Sequence, residues 1–139
     1  ATLGAAALLP VLRDLETGGA VETVQDHERA TTAKKIDKSE GEVRFDETTA
    51  AIYNRFRAFD PWPGIYVTSG GETIKLTEVR PAAESGTPRT VLSIEEDVVV
   101  ATSDGAIRIL EMQRPGKPRT PAGAVARGLG WRAGELLPS

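Results

Sequence analysis

The hydrophobic pattern of this chain changes its period at one short segment, Pro61-Trp62-Pro63-Gly64, and this change constrains the fold more than any other feature. Before the segment, Ile52, Phe56 and Phe59 recur at spacings of four and three, the pattern of one apolar helix face. From Ile65 onward, apolar and polar residues alternate, which is typical of a β-strand. The segment is therefore predicted to be a corner where a helix ends and a sheet begins.

The corner and its preceding helix can be described in more detail from local residue chemistry. We predict a helix over residues 46–59, with Asp46 capping the free N–H groups of its first turn. Pro61 disfavours helical geometry at the residue before it, so the helix is expected to end there. Gly64 permits a backbone conformation that other residues avoid, and the ring of Trp62 is expected to be buried at the corner.

The part of the chain that follows the corner is predicted to be mostly β-structure. The expected strands are 65–68, 74–76, 90–94, 98–102 and 107–111, with Asp104-Gly105 supplying the positive φ of a tight turn. Two loops, 81–88 and 114–119, and a short helix that starts at Thr120-Pro121 and ends by Gly128 complete the pattern. The predicted fold class is mainly β with flanking helices. We expect a small, closed OB-like barrel of five to six strands.

The N-terminal part predicts a helix followed by an extended linker. Residues 2–16 carry a stripe of Leu8, Leu12 and Leu15, and Gly18-Gly19 ends the pattern. Pro10 inside it predicts a kink or a late start. Residues 20–45 show no clear period, and short strand pieces are expected near the two valines of this stretch, Val21 and Val43. The leucine stripe cannot be buried by one helix alone, so another part of the protein must cover it.

Composition excludes several classes of chemistry. The 139 residues contain no cysteine and one histidine, so thiolate chemistry is absent and a zinc site is disfavoured. His27 lies in the linker without an orienting partner, and Glu95-Glu96-Asp97 is typical of a solvated hairpin turn. No apolar run reaches the length of a membrane span, about 18 residues. We therefore predict no catalytic, metal-binding or cofactor-binding residue in this chain, and no membrane partner.

Charge is distributed unevenly, and this asymmetry indicates candidate RNA contacts. The chain has a net charge of −3, but residues 105–134 hold six cations against Glu111 alone. The predicted RNA-binding residues lie in the linker and in this basic stretch: Lys34, Lys35, Lys38, Arg108, Arg114, Lys117, Arg119 and Arg127. The alternative is that these cations only solvate loops. Stacking on bases has weak support, because the few aromatic residues are expected to lie in the core: Phe45, Phe56, Phe59 and Trp62.

Beyond these patterns, the sequence resembles the C-terminal third of methionyl-tRNA formyltransferases. The resemblance is carried in order along the chain by these segments: Ala33-Lys34-Lys35-Ile36, Ile52-Tyr53-Asn54-Arg55-Phe56-Arg57-Ala58-Phe59 through Pro61-Trp62-Pro63-Gly64, Thr90-Val91-Leu92, Ala101-Thr102-Ser103-Asp104-Gly105-Ala106-Ile107-Arg108-Ile109-Leu110-Glu111, Gln113 and Arg127-Gly128. The chain departs from the family at Thr32, where tyrosine is usual, at Arg44-Phe45, where Asp-Trp is common, and in the loop at Pro118 and Thr120.

The resemblance implies a two-domain enzyme of the cytoplasm. Its N-terminal Rossmann-like domain uses 10-formyltetrahydrofolate and an Asn, a His and an Asp to formylate methionyl initiator tRNA at the start of translation. Those catalytic motifs have no match here, and His27 is not that histidine. Residues 1–33 are expected to be the end of the catalytic domain and the linker, and residues 34–139 an OB-like domain that binds tRNA. The expected partners are initiator methionyl-tRNA and the catalytic domain of the same, monomeric protein.

Two other functions remain open at this level. A related formyltransferase that acts on a sugar nucleotide or another small amine would share the barrel. The barrel could also serve only for packing and protein contact, with its charge asymmetry incidental. As part of a methionyl-tRNA formyltransferase, the segment alone is expected to be inactive, because it lacks the catalytic Asn, His and Asp.

Overall fold

A computed structural model describes residues 2–137 of the chain. The chain divides into two compact units, Ala1–Lys35 and Ile36–Ser139. The first unit contains helix α1, Thr2–Thr17, and a 3-10 turn at His27–Arg29. Helix α1 ends where Gly18 adopts a φ of 71°. Pro10 lies inside the helix, so the late start, one of the two predicted effects of this proline, does not occur. The linker forms no strand at Val21.

In its described part, residues 36–137, the second unit contains six strands and two helices. After a 3-10 turn at Lys38–Gly41 come helix α2, Thr49–Phe59, and helix α3, Ala122–Gly128, with the strands between them. The strands are β1 Ile65–Ser69, β2 Glu72–Ala82, β3 Val91–Ile94, β4 Val98–Ala101, β5 Ala106–Gln113 and β6 Thr120–Pro121. All pairs are antiparallel, the strand order is β1-β2-β5-β4-β3, and β6 pairs with β5. The mainly β prediction with flanking helices is confirmed.

The sheet has two ends, so the expected closed barrel is wrong in the part that the structure describes. Within residues 2–137, no pairing between the first and last strands of this order closes the sheet. Segments without regular secondary structure lie along its two edges. At the β1 edge, the Val43 N–H donates to the Tyr66 carbonyl at 2.8 Å. At the β3 edge, the Val91 N–H donates to the Glu135 carbonyl at 2.9 Å, and the Gly134 N–H donates to the Val91 carbonyl at 2.8 Å. These hydrogen bonds occupy the edge groups of Tyr66 and Val91, which would otherwise be open to pairing with another chain.

The core lies between the sheet and the two helices of this unit. Alternate residues of β1 and β2 are buried, as their sequence pattern predicts: Ile65, Val67, Ile74 and Leu76. All four residues of β4 are buried, so both faces of this strand are covered. Ile52 of α2 and Ala126 of α3 are fully buried against this core. Phe45 is buried, as expected, and Phe56 and Phe59 pack against the core partly buried.

Helix α2 begins later than its sequence predicts, because its cap comes from two other residues. Its N-cap is Thr48, whose side chain accepts from the Ala51 N–H. The Asp104 carboxylate accepts from the Thr49 N–H at 2.7 Å. Asp46, the predicted cap, forms an exposed ion pair with Arg44 instead. The hairpin turn between β4 and β5 therefore completes the helix start.

Other local predictions also need correction. Gly105 does not adopt a positive φ, because the turn is wider than a two-residue hairpin and closes from the Thr102 N–H to the Gly105 carbonyl at 2.9 Å. Pro81 lies in β2, opposite Ile107, and not in a loop. Thr120-Pro121 forms β6, so α3 begins one residue after the predicted proline start. It does end at Gly128, as predicted.

Candidate nucleic-acid interface

The corner 61–64 places a tryptophan ring in the open. Gly64 has a φ of 76°, as predicted, and its N–H donates to the Phe59 carbonyl at 2.9 Å, which closes the end of α2. Pro63 and Ile65 take the inward positions and are buried. Trp62 is therefore left outside and is 58% exposed, so the expectation of a buried ring is wrong. Both X-Pro bonds of the corner are cis.

The loop 114–119 is tied to the sheet at its first residue. Arg114 donates through Nε and Nη2 to the two carboxylate oxygens of Glu72, at 2.9 and 2.7 Å. The hydrogen bond from Arg114 holds the pKa of the Glu72 carboxyl below its ordinary value. Further along, the Gln113 side chain donates to the Lys117 carbonyl at 2.8 Å, and the Lys117 N–H donates to the Arg114 carbonyl at 3.1 Å. The loop is a hydrogen-bonded turn whose later cations, Lys117 and Arg119, are exposed.

A groove of about 80 Å³ separates this loop from the corner. We call it the corner groove. It is lined by residues of the corner, of β2 and of the loop base: Phe56, Asp60, Pro61, Pro63, Gly64, Ile65, Lys75, Leu76, Thr77, Gln113 and Arg119. Lys75 and Arg119 have no ion-pair partner in the described part of the chain, and Asp60 is the one carboxylate of the lining. This side of the sheet is therefore a cationic surface next to an exposed aromatic ring.

Two other predicted RNA contacts are engaged within the domain. Arg108 forms ion pairs with Asp97 at 2.8 Å and with Glu84 at 2.6 Å, and the hydrogen bond that it donates to Asp97 raises the pKa of Arg108. Asp97 lies in the turn between β3 and β4, and its ion pair with Arg108 joins that turn to β5. Arg127 donates to the Glu95 carbonyl at 2.9 Å. Both guanidinium groups therefore use part of their hydrogen-bonding capacity within the domain, whereas no side-chain hydrogen bond or ion pair engages Lys117 or Arg119 in the described part of the chain.

The three linker lysines fall on both sides of the division between the units. Lys34 and Lys35 end the first unit, and all three are exposed. Lys38 begins the 3-10 turn of the second unit, where Asp37 and Glu40 form a capping box. Gly41 at the end of that turn lies directly against the Gly64 carbonyl and the Tyr66 ring. The structure therefore places the turn that carries Lys38 beside the corner.

Two residues of this surface were missed in reasoning from the sequence. Lys75 lies between Ile74 and Leu76, so its outward position follows from strand alternation. Its nearness to the loop depends on the pairing of β2 with β5, in which Lys75 lies opposite Gln113. Trp62 carried no local signal of exposure, because a corner residue has no periodic neighbours.

Residues 2–137 contain neither a metal-binding arrangement of side chains nor a helix that could span a membrane. That part of the chain contains no group of three or more His, Asp or Glu side chains arranged to hold a metal ion. Its helices are all too short or too polar to cross a membrane.

The chain is similar to curated bacterial proteins over most of its length. It is 37% identical over 130 residues to a methionyl-tRNA formyltransferase of Solibacter usitatus, which is 92% of this chain and 42% of that protein. It is 42% identical over 114 residues to one of Campylobacter curvus, which is 81% of this chain and 37% of that protein. The chain thus spans about two-fifths of the length of these relatives.

Solved structures and family models agree with this similarity. The fold resembles that of HypX from Aquifex aeolicus in complex with tetrahydrofolic acid, with a TM-score of 0.64 and 22% identity. That match covers 95% of this chain and 26% of the HypX chain. The family model described as the formyl transferase C-terminal domain matches residues 35–130, well over half of the chain. The protein therefore belongs to the formyl transferase C-terminal domain family.

Proposed function

We propose that this chain is the C-terminal part of a methionyl-tRNA formyltransferase and that it binds initiator methionyl-tRNA. The observation that carries the proposal is the arrangement of the loop 114–119. Arg114 anchors the loop to Glu72, whereas Lys117 and Arg119 are exposed, and Arg119 lines the corner groove together with Lys75. Fixed cations without carboxylate partners are what phosphate contacts require. The names of the curated relatives support tRNA as the partner.

The contribution of each predicted cation follows from its partners. Lys117 and Arg119 are proposed to contact phosphates directly, with Lys34, Lys35 and Lys38 adding contacts from the linker. Arg108 and Arg114 are proposed to act mainly by positioning strands and loop, since carboxylates already occupy them. Arg127 keeps part of its guanidinium available beyond its bond to Glu95.

The reaction itself is proposed to belong to an upstream domain. That domain would transfer the formyl group of 10-formyltetrahydrofolate to the methionyl amine, which agrees with the tetrahydrofolic acid bound to the HypX neighbour. Residues 1–33 would be its last helix and the linker, and residues 34–139 the tRNA-binding domain. The exposed Leu8, Leu12 and Leu15 of α1 support this, because a covering domain would bury them. We propose a monomeric protein of the cytoplasm.

Binding of initiator tRNA to the 139-residue chain tests the proposal. Filter retention is measured from about 50 to 200 mM salt, where each phosphate contact adds about one unit to the slope of log affinity against log salt. We expect binding that weakens steeply with salt. No affinity, or an affinity independent of salt, contradicts the proposal. We also expect no formyl transfer from the folate donor by the chain alone, and measurable turnover would refute that part.

A second candidate function is the same domain in a formyltransferase that acts on a sugar nucleotide or another small amine. The likeness to HypX favours it at the level of the fold, because one fold can serve several substrates. Under this alternative, initiator tRNA would not compete with the amine substrate of the parent enzyme.

A further inference from the structure

We propose that the corner groove is a nucleotide subsite, in which Lys75, Thr77 and Arg119 hold one RNA phosphate while an adjacent unpaired base stacks on Trp62. This inference rests on the proposed function and deepens it, because it names where on the domain one nucleotide of the RNA is held. Four features of the groove carry it: a hydroxyl without a partner, two cations, a small volume and an exposed ring.

The hydroxyl of Thr77 is a buried polar group that the protein leaves unsatisfied. Within residues 2–137, its Oγ1 is the buried side-chain atom without a hydrogen bond. The strand pairing breaks at this point, since Leu76 lies opposite Met112 and Glu78 lies opposite Glu111. Thr77 is thus the extra residue of a β-bulge, a feature that re-aims a side chain. A buried hydroxyl without a partner is costly. Thr77 lines the groove, so a rotation of its side chain that turns the hydroxyl toward a bound acceptor would remove this cost.

The charges of the groove select an anion as that ligand. Lys75 and Arg119 face it with no ion-pair partner among the described residues, against the single carboxylate of Asp60. The volume of about 80 Å³ accommodates a small anion and excludes a whole nucleoside. A phosphate group fits both the charge and the size, because it offers acceptor oxygens to two cations and to a hydroxyl.

The exposed ring of Trp62 indicates that the bound phosphate belongs to a nucleotide. It lies between Pro61 and Pro63, which line the groove, and it is 58% exposed. The proline rings restrict the backbone around it, so the indole is presented with little freedom to lose. A nucleotide is the ligand that carries an anion and a flat π-face side by side. Stacking on an aromatic ring tolerates any base, provided that the base is unpaired.

Tryptophan fluorescence tests this subsite directly, because the two tryptophans of the chain differ in environment. Trp62 is exposed, whereas Trp131 is buried and donates to the Ser69 hydroxyl at 2.9 Å. We expect initiator tRNA to quench the emission of the wild-type chain and to leave that of Trp62→Phe unchanged. The affinity of Trp62→Leu should fall about tenfold, as expected for the loss of one stacked base.

A second variant separates binding from folding. Thr77→Val keeps the shape of the side chain and removes the unsatisfied hydroxyl, so its melting temperature should stay the same or rise. Its affinity for initiator tRNA should nevertheless fall about tenfold, as expected for one lost hydrogen bond to a charged group. The matched control is Thr73→Val, at an exposed position of the same strand outside the groove, which should bind as the wild type does.

The outcomes distinguish this inference from the proposed function. If the wild type binds tRNA in a salt-dependent way while Trp62→Leu and Thr77→Val bind equally tightly, the subsite is refuted and the proposed function stands. If the wild type does not bind tRNA at all, both are refuted. If tRNA binds without quenching Trp62, while the separately expressed upstream domain quenches it, the ring is a protein contact and the subsite is refuted.

Discussion

Arg114 and Glu72 are joined by two parallel hydrogen bonds of 2.9 and 2.7 Å across 42 residues of sequence. The pair fastens the start of the loop 114–119 to the start of β2. Because it holds the loop at its base, the pair sets the position of Lys117 and Arg119 without using their charges. Arg114 therefore has a structural role, whereas Lys117 and Arg119 remain available to RNA. The predictions below test the structural contacts first and the RNA contacts last.

The first prediction concerns the pH dependence of this pair. The folded state lowers the pKa of Glu72 below its ordinary value of 4.5, so the pair stabilises the fold above that value and is lost as the pH falls through the lowered pKa. Glu72→Gln should therefore lower the melting temperature at neutral pH, by a few degrees at most for an exposed pair. In strong acid, the variant and the wild type should melt at the same temperature.

The control for this experiment is Glu78→Gln on the same strand. Glu78 lies 3.6 Å from Arg80 in an exposed contact, so its replacement should change little at any pH. A difference between Glu72→Gln and the wild type that persists unchanged into strong acid would contradict the account of the pair.

The second prediction concerns the cap of α2. Asp104 accepts from the Thr49 N–H, and this bond holds its pKa below the ordinary value of 3.8. Asp104→Ala should lower the melting temperature at neutral pH and speed amide exchange in the first turn of α2 severalfold, because that donor loses its partner. Asp46→Ala, at the position that the sequence predicts as the cap, should have a smaller effect. Equal effects of the two variants would show that the cap is assigned wrongly.

The third prediction concerns the contact between α3 and the turn Glu95-Glu96-Asp97, which joins β3 to β4. A Cβ on Gly123 would overlap the Glu95 carbonyl oxygen and lie 3.1 Å from the carbonyl carbon of Glu96, and both atoms belong to the backbone. Gly123→Ala should destabilise the domain by about 1–3 kcal/mol or more, measured by denaturant unfolding. Gly128→Ala in the same helix meets open space and should stabilise by about 0.4–1 kcal/mol. Similar changes in stability for Gly123→Ala and Gly128→Ala would contradict the close packing of Gly123 against the backbone of Glu95 and Glu96.

Features that depend on neighbouring residues could be predicted from the sequence. The change of period at the corner located the end of α2 and the start of β1, and the positive φ of Gly64 followed from its place after two prolines. Features that depend on distant residues could not. Asp104 caps a helix 55 positions away, and no pattern near Asp46 reveals that competitor. The closed barrel was a wrong expectation because the edges are covered by segments without any period, around Val43 and Glu135.

The candidate site was predictable only as a set of cations. The sequence indicates that the loop 114–119 is basic, but the availability of each charge depends on its partner in the fold. Arg114 is engaged by Glu72 and Arg108 by Asp97, and both partners lie far from them or across a turn. The exposed ring of Trp62 was missed because a local motif does not reveal which of its side chains faces the core.

The central claim is that Lys117 and Arg119 contact RNA phosphates, and the most direct test is the salt dependence of initiator tRNA binding. The measured quantity is the slope of log affinity against log salt for the wild type, for Lys117→Ala/Arg119→Ala and for a control of equal charge, Arg13→Ala/Arg132→Ala. Both control residues are exposed, and neither is among the predicted RNA-binding residues. We predict that the first variant loses about two units of slope, one for each phosphate contact, while the control keeps the wild-type slope. The same slope for the wild type and for Lys117→Ala/Arg119→Ala would contradict the account.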